Sequence, residues 1–148
     1  MDAKEEARAE STALQLVARA EQCTFGLARK LEKRGYDAAC VGAVISRLID
    51  LDLVNDQRFA RLWLESRLRL ARSPRLLLVS LCGRGIDRDT AETAIRTALD
   101  EETEWALMKR FVNKYSRKTV NKGAAALKYL LNSEGFSSQV IRRYFNND

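Results

Sequence analysis

No histidine occurs in the 148 residues, and proline occurs once. The commonest general base and metal ligand is therefore missing. The three cysteines, Cys23, Cys40 and Cys82, are odd in number, far apart and outside C-x-x-C spacing. A structural zinc site takes four soft ligands, which this chain does not offer, so the cysteines read as small buried hydrophobes in a reducing compartment. No apolar run approaches the roughly 20 residues that span a bilayer. The charged opening "MDAKEEARAE" lacks the apolar core of a secretion signal. There is no G-x-x-x-x-G-K-[ST] loop, and the carboxylates fall mostly where helix caps and helix surfaces put them. The expectation is a soluble cytoplasmic protein with no catalytic, cofactor or metal site.

What is present points to helix. The chain is 46% hydrophobic and 31% charged, enough apolar content for a core. Few β-branched runs and few prolines leave little to break helices. The net charge of +6 and pI near 9.5 imply an acidic partner, nucleic acid or an acidic protein surface.

A fifty-residue repeat organises the sequence. "LARKLEKRGYDAACVGAVI" (27–45), "LLVSLCGRGIDRDTAETAI" (77–95) and "LKYLLNSEGFSSQVIRRYF" (127–145) align with Gly35, Gly85 and Gly135 in register. Leucines stand eight and four positions before each glycine: Leu27 and Leu31, Leu77 and Leu81, Leu127 and Leu131. Leucines four apart share one helix face. The glycine ends that helix by taking positive φ, and the apolar residue after it (Tyr36, Ile86, Phe136) packs back over the turn. Asp37, Asp87 and Ser137 then cap a further helix. A leading helix precedes each leucine pair; in the second copy it spans about Asp56 to Ala71, with Ser73 and Pro74 starting the next. Thr24 and Thr119 are placed to cap the equivalent helices, and the middle helix of the third copy starts near Val120. The expected architecture is all-α: three tandem three-helix units, 1–53, 54–100 and 101–148, in an elongated, curved arrangement.

Charge is unevenly spread along these units. Residues 1–50 hold eight basic and eight acidic residues, 51–100 nine and seven, and 101–148 nine and five. Two stretches lack acids: Glu65 to Asp87 and Glu104 to Glu134. They carry most of the residues expected to bind a partner: Arg58, Arg67, Arg69, Arg72, Arg75, Lys109, Arg110, Lys114, Arg117, Lys118 and Lys122. Trp63 and Trp105 sit amid apolar residues and read as core. Asn55 and Asp56 read as helix caps, with Arg58 oriented beside them.

Four stretches resemble the RecX family of bacterial regulatory proteins, over about Thr12 to Phe145. They are "ALQLVARAEQCTFGLARKLEKRGYD", "LVNDQRFARLWLESRL", "SPRLLLVSLCGRGID" and "LLNSEGFSSQVIRRYF". The family's two acids before Arg-Phe-Ala are here Asn55 and Asp56, and its Gly-Pro-Arg-Arg run is Ser73-Pro74-Arg75-Leu76, one basic residue fewer. The resemblance implies three tandem three-helix units and a monomer that binds the RecA filament on single-stranded DNA. It further implies inhibition of strand exchange, ATP hydrolysis and co-protease action. Residue chemistry alone leaves open a free-standing nucleic-acid-binding module and a structural adaptor.

Overall fold

The computed structural model describes residues 3–119 and 122–146, with side chains for all but 116–119. Among the described residues the chain forms nine helices and no strand. They are α1 (Ala3–Arg19), α2 (Thr24–Lys33), α3 (Ala38–Asp50), α4 (Asp56–Arg67), α5 (Pro74–Gly83), α6 (Arg88–Ala98), α7 (Glu101–Thr119), α8 (Ala124–Ser133) and α9 (Ser138–Asn146). No helix among them is long and apolar enough to cross a membrane. The accessible surface, 9181 Å², exceeds the roughly 7,650 Å² of a compact chain of this mass, as an elongated stack of helices does.

The repeat is physically the same turn made three times. Gly35, Gly85 and Gly135 have φ of 96°, 91° and 89°. The glycine N–H bonds back to the carbonyl of Glu32, Cys82 or Asn132, and the following N–H (Tyr36, Ile86, Phe136) reaches that of Leu31, Leu81 or Leu131. This paired bonding satisfies carbonyls that a helix end leaves orphaned. Asp37, Asp87 and Ser137 then accept from the N–H of Cys40, Thr90 and Val140 and start α3, α6 and α9. All six repeat leucines are buried, as are Ile86 and Phe136.

Burial divides into two clusters. Ala9 and Ala13 of α1 join Leu27, Leu31, Val41, Val44 and Leu48 in one, the alanines' small side chains letting α1 approach α3 closely. The other runs continuously through α4 to α9, from Leu64 and Leu81 to Leu107, Met108, Phe111, Leu131 and Phe136. Cys23, at the start of α2, belongs to this second cluster.

Four local expectations are corrected. Cys82, expected to be buried, is exposed, whereas Cys23 and Cys40 are buried. Thr24 is the first residue of α2 rather than its cap; Cys23 occupies the cap position without a side-chain capping bond, and Asp56 of α4 accepts from the Thr24 N–H at 2.7 Å. Thr119 lies at the end of α7, which is the long helix of the third triplet, while α8 starts only at Ala124 behind Gly123; Val120 lies outside the described residues. α4 ends at Arg67 rather than near Ala71, with its last carbonyl taken by a side chain described below.

The triplets meet through the ends of their middle helices, at the same repeat positions each time. At the first junction Cys23 Sγ donates to the Arg84 carbonyl at 3.4 Å, and Phe25 lies directly over Gly85. At the second, Ser73 Oγ bonds the Glu134 carboxylate at 2.5 Å and the Arg75 N–H donates to the Glu134 carbonyl at 2.9 Å, against Gly135.

Candidate functional site

The α7 helix places the third triplet's basic residues. Its apolar residues Leu107, Met108, Phe111 and Val112 are buried, so Lys109, Asn113 and Lys114 face outward on the opposite side. Arg110 sits between these faces. Its guanidinium donates to the carbonyl of Leu68, the residue that closes α4, while its buried Nε has no partner among the described residues. A helix C-terminus carries unsatisfied carbonyls and a partial negative charge, so a guanidinium there is held by hydrogen bond and dipole together.

That bond joins the two acid-free stretches. Arg67, Arg69 and Arg72 leave the end of α4 where Arg110 docks, and Lys109 and Lys114 continue along α7. Arg69 is exposed; Arg67 and Arg72 are half-buried. A groove of about 630 Å³ along α7 is lined by Ala106, Lys109, Arg110, Val112, Asn113 and Tyr144.

Both tryptophans stabilise cations on this surface. Arg67 and Arg84 stack over the Trp63 ring at 5.3 and 5.6 Å. Lys109 and Arg143 lie over Trp105 at 5.4 and 4.3 Å. Ring faces attract cations electrostatically, so each tryptophan holds two charges in place while its body fills the core. Trp63 is buried and Trp105 half-buried. Arg84 and Arg143 were not among the sequence candidates; their partners lie 21 and 38 positions away in chain order, a separation that leaves no local signature.

Two sequence candidates are engaged within the chain. Arg58 bridges Glu21 at 2.6 Å and Asp52 at 3.2 Å, across the first junction; the hydrogen bond it donates to Glu21 raises its pKa. Arg75 pairs with Glu134 at 3.2 Å across the second. Their charges are neutralised by adjacent carboxylates. Lys122 is exposed just ahead of Gly123. The side chains of Arg117 and Lys118 lie outside the described residues. No group of histidine, cysteine, aspartate and glutamate suited to a metal ion occurs among the described residues.

Comparison with known proteins gives a consistent picture. A family profile described as "RecX, second three-helix domain" matches residues 55–95, the span of α4 to α6. A regulatory protein RecX from Treponema pallidum is 34% identical over 136 residues, covering 91% of this chain and 82% of that protein. One from Caldanaerobacter subterraneus is 26% identical over 146 residues, covering 99% and 72%. The crystal structure of RecX from Lactobacillus salivarius superposes with a TM-score of 0.76 at 24% identity, covering 97% of this chain and 96% of the other. A second RecX crystal structure gives 0.80 at 20% identity, covering 97% and 72%. At these identities the two structures establish the shared fold.

Proposed function

The chain belongs to the RecX family of regulatory proteins, and from that premise we propose that it is a non-enzymatic negative regulator of the RecA recombinase. It acts in the cytoplasm as a monomer that lodges in the groove of the RecA filament on single-stranded DNA. There it hinders strand exchange, ATP hydrolysis and co-protease action. One observation carries this assignment: Arg110 ties α7 to the end of α4, so that two separate basic runs form one continuous cationic surface. Such a surface on an elongated molecule suits a long, negatively charged groove, where attraction sums over several charges.

The test is co-sedimentation with RecA filaments assembled on single-stranded DNA, using a variant with Arg69→Glu, Lys109→Glu and Lys114→Glu. These residues are exposed, so helical content should be unchanged. Arg110 is left intact because it holds the fold together. Binding should weaken, inhibition of RecA ATP hydrolysis should be relieved, and the variant's affinity should depend less steeply on salt. A folded variant that inhibits as well as wild type would sink the proposal. Equal affinity for bare DNA and for the filament would favour a free-standing nucleic-acid module instead.

A further inference from the structure

A second groove, of about 420 Å³, opens between α8 and α9 on the third triplet. Its lining includes Lys128, Tyr129, Asn132, Ile141, Arg142 and Phe145, and no carboxylate lines it among the described residues. Tyr129 is 77% exposed, the most exposed of the large hydrophobic side chains among the described residues. Neither its hydroxyl nor the Arg142 guanidinium has a hydrogen-bond or ion-pair partner among the described residues. Lys128 stands over the Phe145 ring at 4.9 Å. Phe145 is braced edge-on by Tyr144 at 5.1 Å, and Tyr144 by Trp105 at 6.2 Å. The wall of the groove is therefore a fixed aromatic stack, with one free aromatic ring at its mouth.

The repeat shows that this face has changed chemistry. Fifty positions earlier, Lys128, Tyr129, Arg142 and Phe145 correspond to Leu78, Val79, Glu92 and Ile95. Leu78, Glu92 and Ile95 line the cleft where the third triplet's Gly135 and Ser137 meet the second. The receiving face thus has Leu78 and Ile95 at its centre, with Glu92 beside Arg75 and Arg96 at its edge. The α8–α9 face has cations at the positions of Leu78 and Glu92, and an exposed aromatic where Val79 stood. With Leu78 and Glu92 replaced by cations, it lacks the apolar centre and the acid that the receiving face offers.

An exposed aromatic, two cations with no carboxylate partner among the described residues and an amide are what unpaired nucleobases use: a π-face to stack on, charge for the phosphates, and a donor and acceptor for a base edge. We propose that the α8–α9 groove is a stacking site for single-stranded nucleic acid, with Tyr129 as the platform and Lys128 and Arg142 meeting the flanking phosphates. This site is separate from the α4–α7 surface and does not depend on its assignment.

The experiment therefore contains no RecA. Binding of the full chain to labelled oligothymidylate, oligouridylate and a duplex of equal length is followed by fluorescence anisotropy at low salt. Tyr129→Ala should weaken binding to a single strand about tenfold, the loss of one stacked base. Tyr129→Phe, which keeps the ring, should bind as wild type does. Lys128→Glu with Arg142→Glu should weaken binding and flatten its salt dependence. Duplex binding should not respond to Tyr129→Ala. Sensitivity to Tyr129→Ala on either single strand supports the proposal. Because Tyr129 is exposed, circular dichroism should be unchanged in all variants. Wild-type single-strand affinity in folded Tyr129→Ala overturns the proposal, as does an equal loss on duplex. A loss confined to binding an acidic peptide also overturns it and makes the groove a protein-docking site.

Discussion

The two junctions between helix triplets occupy equivalent positions yet use different chemistry. Cys23 stands where Ser73 stands fifty residues on, Phe25 where Arg75 stands, and Arg84 where Glu134 stands. At the first junction an aromatic side chain covers a glycine, and the ionic latch, Arg58 to Glu21, lies to one side. At the second, one residue, Glu134, makes three contacts: its carboxylate takes the buried Ser73 hydroxyl and the Arg75 guanidinium, and its carbonyl takes the Arg75 N–H. The docking geometry is thus set by the helix ends and the glycine turn, and either dispersion or charge-assisted hydrogen bonding can hold it. Contact at the first glycine depends on shape; at the second it depends on one charged residue.

The largest expected effect breaks the first junction. An added Cβ at Gly85 would stand 2.4 Å from Phe25 Cβ, whereas at Gly35 it would meet nothing within 4 Å. Both positions have positive φ. Gly35→Ala should therefore cost only backbone strain, about 1 kcal/mol, and Gly85→Ala strain plus overpacking, about 3 kcal/mol. Urea unfolding measures both, and Phe25→Ala should recover part of the Gly85→Ala loss. Equal costs at the two glycines would show that Phe25 does not press on the turn.

An intermediate effect is expected at the second junction. Glu134→Ala leaves the Ser73 hydroxyl buried without its carboxylate and should cost about 2 kcal/mol. Glu134→Gln, which keeps an acceptor, should cost less. A negligible loss in Glu134→Ala would mean that packing and the Arg75 N–H bond to the residue 134 carbonyl carry this junction without the carboxylate.

The smallest effect distinguishes the junctions by pH. The Asn55 side-chain hydrogen bond, followed by the Arg58 charge, holds the Asp52 carboxyl below its ordinary value of 3.8. A depressed folded pKa gives stability that is full above the ordinary value and is lost as pH falls through the folded one. Stability from this latch should be flat across neutral pH and decline only in acid. Asp52→Asn should show a shallower acid decline by circular dichroism; an unchanged profile would remove Asp52 from the latch.

How much of this was legible depends on where each cause lies in the chain. The leucine pairs, the three glycine turns and the caps at Asp37, Asp87, Ser137, Asn55 and Ser73 are local, spaced within a few residues, and sequence patterning predicts each. Thr24 misled because its N–H is satisfied by Asp56, 32 positions away. Glu104 is buried because both its oxygens accept from Ser137, 33 positions on. One tertiary cause did leave a mark: the residue before each repeat glycine is Arg34, Arg84 and then Glu134. That charge reversal singles out the residue that makes the ionic junction. The candidate surface was half legible. The basic runs were visible, but their fusion depends on Arg110 meeting a carbonyl 42 positions away, and the inward engagement of Arg58 and Arg75 depends on distant carboxylates.

The division of the apolar core into two clusters bears on how the molecule opens. The cluster of α1 to α3 is its own, whereas α4 to α9 share one. Local opening follows such contiguous packing, and units with separate cores can exchange amide hydrogens independently. The three sequence repeats should therefore behave as two cooperative blocks. The second and third triplets would lose protection together, and the first would detach as a separate block, limited by Cys23, Phe25 and the Arg58 latch. A chain built this way should open its first triplet without unfolding the block of α4 to α9.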